Sequence, residues 1–398
     1  MENSDPIPSL KAWLDKRSHE MLDLLGRIVS VNSYTYNKAG VDRVATIIAQ
    51  AAEDMGLTVE TVPGGEYGDH LVARTPACGR GGGQVLFCGH MDTVYPESLG
   101  FTGFRTEGDK AFGPGVIDMK GGLVVGLYAL RAMQELDLAP DLPAAFVFNS
   151  EEEVGSPSSA GLIRREAEKS LFALVFECSG INGEAATGRK GKATYIMDVR
   201  GRAGHAGAAD GPKPSAVLEL AEKIIALEAL NDTERGVSVN VGQISGGTGP
   251  NIVAAEATAM IDTRYMTRQD GKALAEAVAE IVEKPVIPGT ECEISISSSR
   301  PAMEPSSANR AIFKIAEKQS KLLGTRIAEE FRGGVSDANL IADAGIPVLD
   351  GLGPAGEHDH SPREYMVVSS LAERTALTAL TTAEILKLCR ADQFPGRA

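Results

Sequence analysis

An apolar run, Val85–Cys88, leads directly into the segment Gly89–Val94, which contains His90 and Asp92. The β-branched and aromatic run predicts a buried strand, so the histidine and the acid are expected at its carboxyl end. Open α/β sheets bind ligands at this edge. A His-x-Asp pair there allows the histidine to bind a metal while the aspartate orients its imidazole. Because the motif is short, its meaning depends on what stands at the other strand ends.

The first part of the chain alternates between strand and helix patterns, which is typical of an α/β domain. Apolar periodicity predicts helices near 9–30, 40–55, 122–136 and 158–169, and strands near 58–62, 70–74, 85–89, 144–148 and 172–176. The glycine-rich segment Gly79–Gly83 is too short and too badly placed to be a phosphate loop, so we predict a hairpin turn there.

The order changes in the middle of the chain to β-α-β-β-α-β, the ferredoxin-like split βαβ unit. Its predicted strands are 193–199, 237–245, 254–265 and 292–298, and its helices are 214–227 and 271–282. Afterwards the α/β pattern resumes, with helices near 307–324, 336–344 and 369–390 and strands near 326–330 and 348–349. A length of 398 residues also suits two domains. We therefore predict a discontinuous catalytic domain, 1–189 and 302–398, interrupted by an inserted domain, 190–301.

Composition excludes several classes of protein. A formal net charge of −15 disfavours a nucleic-acid or anionic-membrane binder. No apolar segment reaches membrane-spanning length, and no signal-peptide pattern precedes the first helix, so we expect a cytoplasmic protein. The five dispersed cysteines predict free thiols. We expect most acids, such as Glu219 and Glu222, to lie on solvated helix faces.

Histidines and acids stand at the ends of several predicted strands. They are His90, Asp92, Asp118, Glu151, Glu152, Glu153, Glu177 and His360. Any one of them alone would be an ordinary surface or core residue. Together, acids at the ends of buried strands would repel one another and raise one another's pKa, and a bound dication removes that conflict. Two imidazoles with several carboxylates suit zinc, with cobalt or manganese as alternatives.

The number of acids suggests two metal ions, because Asp118 can offer one oxygen to each. Two ions close together can hold a shared water, lower its pKa and polarise a carbonyl. A separate carboxylate must then take the water's proton and pass it to a leaving amine. Adjacent glutamates can divide these roles, one binding metal while its neighbour faces the water.

Four motifs resemble the metallopeptidase family of glutamate carboxypeptidase, aminoacylase and succinyl-diaminopimelate desuccinylase. They are Gly89–Val94, Gly113–Gly122, Phe148–Ser156 and His360–Tyr365. The resemblance runs in order over almost the whole chain and includes Gly204–Gly207, Gly249–Ile252 and Asp262–Arg264 of the inserted segment. Within the family, the motifs most resemble the folate-cleaving glutamate carboxypeptidases. The resemblance implies a zinc-exopeptidase-like catalytic domain with a mixed central sheet, interrupted by a ferredoxin-like dimerisation or lid domain.

The resemblance also implies a role for each residue of the site. His90 and Glu177 would bind one metal, and Glu153 and His360 the other. Asp118 would bridge both ions and be followed by a cis peptide bond. Asp92 would support the His90 imidazole, Glu152 would be the general base, and Glu151 would occupy the acidic position before it. His358 is a rival to His360, but the residues after His360 favour the latter.

The inserted segment resembles the family's dimerisation or lid domain, so the resemblance implies a homodimer. His205 would stabilise the developing oxyanion, reaching into the partner's site. Arg264 and Asn251 would bind substrate carboxylate and carbonyl groups, since the guanidinium fork matches a carboxylate. Gly333 and Gly334 would bring the backbone close to the substrate. Without the resemblance, structural roles would be preferred for these residues.

One departure concerns the substrate. Glutamate-specific members carry a lysine shortly after the ligand equivalent to Glu177, whereas residues 178–187 contain no lysine or arginine and include Glu184. Arg189, Lys190 and Lys192 follow, and Arg332 stands where a small polar residue is common. We expect a di-metal hydrolase that cleaves an amide next to a free carboxylate. The alternatives are an N-acyl amino acid amidohydrolase or deacetylase, a dipeptidase, an aromatic-amine hydrolase, or a non-catalytic metal or ligand-binding protein.

Overall fold

The computed structural model describes residues 6–208, 211 and 213–395. The chain divides into two compact units. The larger unit contains Met1–Gly188, Pro305–Phe331 and Ser336–Ala398, and the smaller unit contains Arg189–Glu304 and Arg332–Val335. The short segment Arg332–Val335, with Gly333 and Gly334, therefore groups with the smaller unit and not with the 302–398 segment to which the sequence analysis assigned it.

The described residues contain nine α-helices, several of them within one or two residues of the bounds predicted from periodicity. They are α1 Ile7–Val29, α2 Lys38–Asp54, α3 Lys120–Glu135, α4 Ala160–Ala167, α5 Ala216–Glu228, α6 Arg268–Glu283, α7 Ser307–Leu323, α8 Asp337–Asp343 and α9 Val368–Arg390. The apolar stripe predicted for the first helix, from Leu10 to Ile28, is buried.

The strands include short ones that periodicity did not reveal. In chain order they are β1 Thr58–Val62, β2 His70–Arg74, β3 Gln84–His90, β4 Arg105–Glu107, β5 Lys110–Phe112, β6 Ala144–Asn149, β7 Ser170–Val175, β8 Glu184–Arg189, β9 Gly191–Arg200, β10 Gly204–His205, β11 Ser238–Gly246, β12 Ile252–Val253, β13 Glu256–Tyr265, β14 Glu291–Arg300, β15 Ala328–Arg332, β16 Val348–Leu349, β17 Gly356–Glu357 and β18 Tyr365–Val367.

The larger unit is built on a mixed sheet in the order β1-β2-β6-β3-β7-β16. Strands β6, β3, β7 and β16 are parallel, while β1 and β2 run antiparallel to their neighbours. The predicted mixed α/β fold is therefore confirmed. Because β3, β6 and β7 are parallel neighbours, their carboxyl ends lie at one edge, where the site is expected. The predicted hairpin turn at Gly79–Gly83 is wrong, since β6 lies between β2 and β3.

Close packing holds α3 against this sheet. Its residues from Lys120 to Met133 are buried on almost every side of the helix, which explains why the helix is apolar rather than amphipathic. A Cβ atom at Gly122 would lie 1.9 Å from the Phe176 carbonyl oxygen just after β7. Only glycine fits there, and its presence fixes the distance between the start of α3 and the site edge.

The smaller unit contains an antiparallel sheet in the order β11-β13-β9-β14, with α5 and α6 packed on it. Alternate residues of β9 are buried against these helices, as expected for a sheet with one covered face. Glu222 is exposed as expected, but the expectation for Glu219 is wrong. Its carboxylate is buried, pairs with Lys223 and accepts hydrogen bonds from the Val286 and Ile287 amides.

Two further expectations from the sequence concern the described residues as a whole. None of the five cysteines forms a disulfide bond, as predicted. Within the described ranges, no helix combines the length and apolar character needed to cross a membrane.

Candidate metal centre

His90 is the last residue of β3, and its ring lies between two acids. The Nδ1 atom is 3.3 Å from Asp92 Oδ1 and 3.1 Å from the Asp92 carbonyl oxygen. The Nε2 atom is 3.2 Å from Asp118 Oδ1 and 3.8 Å from Glu177 Oε1. Glu177 follows β7, the neighbour of β3. The buried imidazole is therefore oriented by Asp92 and turned towards two other carboxylates.

Asp118 stands between the two histidines. It belongs to the loop that joins β5 to α3, and its bond to Met119 is cis, as the resemblance implied. While Oδ1 faces His90, Oδ2 lies 3.2 Å from His360 Nε2. One carboxylate thus presents a different oxygen to each side, which is the arrangement needed to bridge two cations.

Glu153 completes the second side. It lies in a short 3₁₀ turn, Glu152–Val154, directly after β6. Its Oε2 atom is 3.3 Å from His360 Nε2. Two groups of side chains could each hold a metal ion, His90–Asp118–Glu177 and Asp118–Glu153–His360, and the ligand atoms within each group lie within 4.8 Å of one another. The structure therefore brings together the five ligands that the sequence proposed.

The pKa values of these groups reflect crowding of buried charges. Burial, with the charge of Asp118, raises the pKa of Glu153 to about 8 and raises the pKa of Glu177 well above its ordinary value. Hydrogen bonds with Asp118 and Glu153 raise the pKa of His360 to about 11. Burial opposes ionisation of Asp118, but hydrogen bonds from His360 and His90 hold its pKa below its usual range. Without a cation, the acids depend on protons and imidazolium for compensation.

The donor set fits two divalent ions. Three carboxylates and two imidazoles form two three-residue groups that share Asp118, and the crowded negative charge would be neutralised by dications. Nitrogen and oxygen donors of this kind suit zinc, cobalt or manganese.

Asp92 also organises the neighbouring glutamates. Its two carboxylate oxygens accept the backbone N–H groups of Glu152 and Glu153, at 3.2 and 3.3 Å. The hydroxyl of Thr35 donates to Asp92 Oδ2 at 2.7 Å. Sequence reasoning missed Thr35, because the contact joins residues far apart in the chain and no motif marks it.

Glu151 and His358 lie outside both ligand groups among the described residues. The Glu151 carboxylate is buried and accepts hydrogen bonds from the Ser158 and Ser159 amides. His358 is exposed, and its ring contacts Tyr365. Glu364, which had been noted only as part of the motif after His360, is buried and accepts three backbone hydrogen bonds from the Asp118 loop.

The remaining predicted site residues lie in the smaller unit. Exposed His205 pairs with Ile252 in the ladder between β10 and β12, and the Ala206 amide donates to the Asn251 carbonyl, so His205 and Asn251 are neighbours. Arg264, in β13, donates from Nε to Asp262 Oδ1 at 2.8 Å. The loop with Gly333 and Gly334 is held by Arg189, whose Nη1 donates to the Gly334 carbonyl.

Imidazoles and carboxylates gathered at the carboxyl edge of a mixed α/β sheet define a metal-dependent hydrolase. Residues 86–384 match the model of peptidase family M20/M25/M40, and the chain belongs to this family of dinuclear metal-dependent enzymes. It is therefore a metallopeptidase or amidohydrolase by family.

Two relatives show the range of reactions in the family. Carboxypeptidase G2 from Pseudomonas sp. (strain RS-16) is 30% identical over 365 residues, covering 90% of this chain and 88% of that protein. Succinyl-diaminopimelate desuccinylase from Acidiphilium cryptum is 29% identical over 391 residues, covering 93% of this chain and 96% of that protein.

Solved structures share the fold. Aminopeptidase PepT from Bacillus cereus has a TM-score of 0.74 at 23% identity, covering 92% of this chain and 98% of that chain. An M20 family metallo-carboxypeptidase from Sulfolobus solfataricus has a TM-score of 0.72 at 18% identity, with the same coverage.

Proposed function

We propose that this hydrolase cleaves an amide or peptide bond next to a free carboxylate and releases a C-terminal amino acid, as a glutamate carboxypeptidase does. The observation that carries the proposal is the division between Glu152 and Glu153. Glu153 belongs to a ligand group, whereas its neighbour Glu152 belongs to neither group among the described residues. The similarity to carboxypeptidase G2 supports the same reaction.

The chain's own residues would divide the chemistry as follows. Two bound divalent ions, which we expect to be zinc, would supply Lewis acidity and lower the pKa of a water molecule. Glu152 would take the proton of that water and give it to the leaving amine. Asp92 would keep the His90 imidazole and the two glutamates in place, and His205 would stabilise the developing oxyanion.

Substrate recognition is proposed for four residues of the smaller unit. Arg264 and Asn251 would bind carboxylate and carbonyl groups of a small-molecule substrate, and the Gly333–Gly334 backbone would lie against it. Because Asp262 already contacts Arg264, a substrate carboxylate would share the guanidinium with that acid or displace it. We expect Arg264→Ala to raise KM for carboxylate substrates more than it lowers kcat.

The reaction is tested by separating base from ligand. We expect Glu152→Ala to retain both metal ions and lose about 100- to 10,000-fold in kcat, the usual contribution of a general base. Glu153→Ala should instead lose metal, as measured by elemental analysis after dialysis. Glu168→Ala, an exposed position after α4, serves as the control and should behave like wild type. Near-wild-type turnover in Glu152→Ala would contradict the mechanism.

An N-acyl amino acid amidohydrolase is the second candidate. Residues 178–187 lack the lysine associated with glutamate specificity, and Glu184 in this segment bonds to Asn182. The similarity to a desuccinylase favours the same alternative. A panel of acyl-glutamates, acetyl-amino acids, dipeptides and aromatic amides, compared by kcat/KM, separates the candidates. A preference for acyl-glutamates would support the proposed carboxypeptidase activity. A preference for acetyl-amino acids would favour the amidohydrolase in its place.

We also propose that the protein is a homodimer through the smaller unit. Val217, Leu218 and Ile225 lie on one face of α5 and are 44%, 47% and 69% exposed. The packed neighbour β11 is an edge strand that exposes Ile244. An apolar helix face beside an open sheet edge suits pairing with a second copy. His205 would then serve the partner's site.

The dimer is tested by solution mass. Ile225→Lys should yield monomers by sedimentation, whereas Ile296→Lys, a change at a 60% exposed position on the opposite edge strand β14, should not. A wild-type monomer with full activity would exclude catalysis by His205 in the partner's site. Because none of the five cysteines is in a disulfide bond, the thiols support our proposal of a reducing, cytoplasmic compartment.

A further inference from the structure

Glu364 places a buried carboxylate inside the loop that carries Asp118. Its Oε1 atom accepts the backbone N–H groups of Ile117 and Asp118, at 2.8 and 3.1 Å, and Oε2 accepts that of Gly115 at 3.0 Å. The side chain is fully buried. Burying a carboxylate is costly unless charged hydrogen bonds compensate it, and here three of these bonds come from the loop itself, beside one from the Tyr95 side chain. The loop conformation and the carboxylate therefore depend on each other.

The same residue anchors the segment that carries His360. Residues 357–363 are largely exposed, and buried residues resume at Glu364 and continue into β18. The Glu364 amide donates to the Ser361 carbonyl, which closes a turn just after His360. His360 itself is a half-exposed ligand in a loop, so a nearby fixed point is needed to hold its ring beside Asp118 and Glu153.

The two sides of the site differ in this respect. His90 ends the central strand β3, is buried, and is oriented by Asp92. His360 lacks such support from regular structure. Glu364 links its segment to the backbone of the shared ligand Asp118 by accepting the Asp118 N–H.

We propose that Glu364 is a positioning residue that sets the metal affinity of the Asp118–Glu153–His360 group by tying the His360 segment to the Asp118 backbone. The proposal rests on the dinuclear site proposed above. It requires that loss of the Glu364 carboxylate weaken the His360 side of the site far more than the His90 side.

The test is a metal titration of the full chain without substrate. Glu364→Gln removes the charge and turns an amide NH₂ towards backbone donors. We expect Co²⁺ to bind the His90 side with wild-type affinity and the His360 side about 10- to 100-fold more weakly. Binding is measured by visible absorption and by metal content after dialysis. Glu357→Gln is the matched control, since Glu357 lies in the same segment and accepts a hydrogen bond from the Tyr365 hydroxyl. It should retain both affinities.

Several outcomes separate this role from a merely structural one. Activity of Glu364→Gln should return when Co²⁺ is raised, with KM unchanged. Wild-type affinity at both positions, or equal weakening of both, would overturn the proposal. Should Glu364→Gln not fold, Glu364→Asp keeps the charge but is one methylene shorter, and it should show the same selective loss. A wild-type chain that binds only one ion would refute the dinuclear site itself, and this proposal with it.

Discussion

At the scale of single residues, Asp92 has more than one structural task. Its carboxylate contacts the His90 ring, accepts the amides of Glu152 and Glu153, and receives the Thr35 hydroxyl. A carboxylate is suited to this because both oxygens accept several hydrogen bonds. The strand end at His90 and the turn after β6 are thereby fixed to one carboxylate. A substitution of Asp92 would therefore displace one ligand on each side of the site, His90 and Glu153.

Asp92→Asn should therefore affect both metal binding and catalysis. The amide would present two hydrogens where backbone N–H groups and a hydroxyl already donate, so at least one contact must break. We expect a 10- to 100-fold fall in metal affinity, measured by competition with a chelator. Thr35→Val removes a single donor and should have a smaller effect in the same assay. Equal effects of the two variants would show that Asp92 has no special role.

The sequence could predict the ligands, because they follow strands that are visible as apolar runs. It could not predict the residues that hold the ligands. Thr35 meets Asp92 across 57 positions, and Glu364 meets Asp118 across 246. Glu219 was misjudged for the same reason, because its partners at Val286 and Ile287 come from a distant turn. Such contacts depend on tertiary structure, which periodicity does not describe.

At the scale of elements, the position of β6 shows that local sequence patterns do not predict the order of strands in the sheet. Every strand of the central sheet was visible in the sequence, but the order of the strands was not. Inserting β6 between β2 and β3 turned an expected hairpin into a connection across the sheet. The consequence is functional, because this order makes β6 and β7 the two neighbours of β3 and gathers their carboxyl ends around His90.

The opposite ends of the same elements are joined by a charged cluster around Glu166. This residue of α4 is buried and accepts hydrogen bonds from Arg74 at the end of β2, Gln84 at the start of β3, and Lys169. Burial alone would raise its pKa, but these donors, led by Arg74, lower the pKa of Glu166 to about 2. The folded state thus favours the ionised form.

This cluster predicts a pH-dependent stability. A lowered pKa contributes stability that is complete above the ordinary value of 4.5 and is lost as the pH falls through about 2. Glu166→Gln should lower the free energy of unfolding at pH 7 by about 1.5–3 kcal/mol, as for charged hydrogen bonds. Urea unfolding should show this difference shrinking below pH 4.5. A difference that stays constant down to pH 3 would exclude the electrostatic explanation.

At the scale of the whole molecule, the proposed metal ligands and the apolar core of the smaller unit belong to different units. All five proposed metal ligands belong to the larger unit, whose core lies around the mixed sheet. The smaller unit has its own apolar core between α5, α6 and the antiparallel sheet. Domains with their own cores commonly unfold as separate transitions.

Removal of metal should therefore destabilise one unit and spare the other. Binding to the folded state alone stabilises by about 2.7 kcal/mol for each ion present at a hundred times its dissociation constant. We expect dialysis against a chelator to lower the midpoint temperature of one calorimetric transition, that of the larger unit. The midpoint temperature of the second transition, that of the smaller unit, should not change. Leu274→Ala, in the core of the smaller unit, should lower the free energy of unfolding of that unit by about 2–5 kcal/mol. Only the second transition should then move to a lower temperature. If chelation lowered both transitions equally, the two units would be unfolding together, and the assignment of metal stability to the larger unit alone would fail.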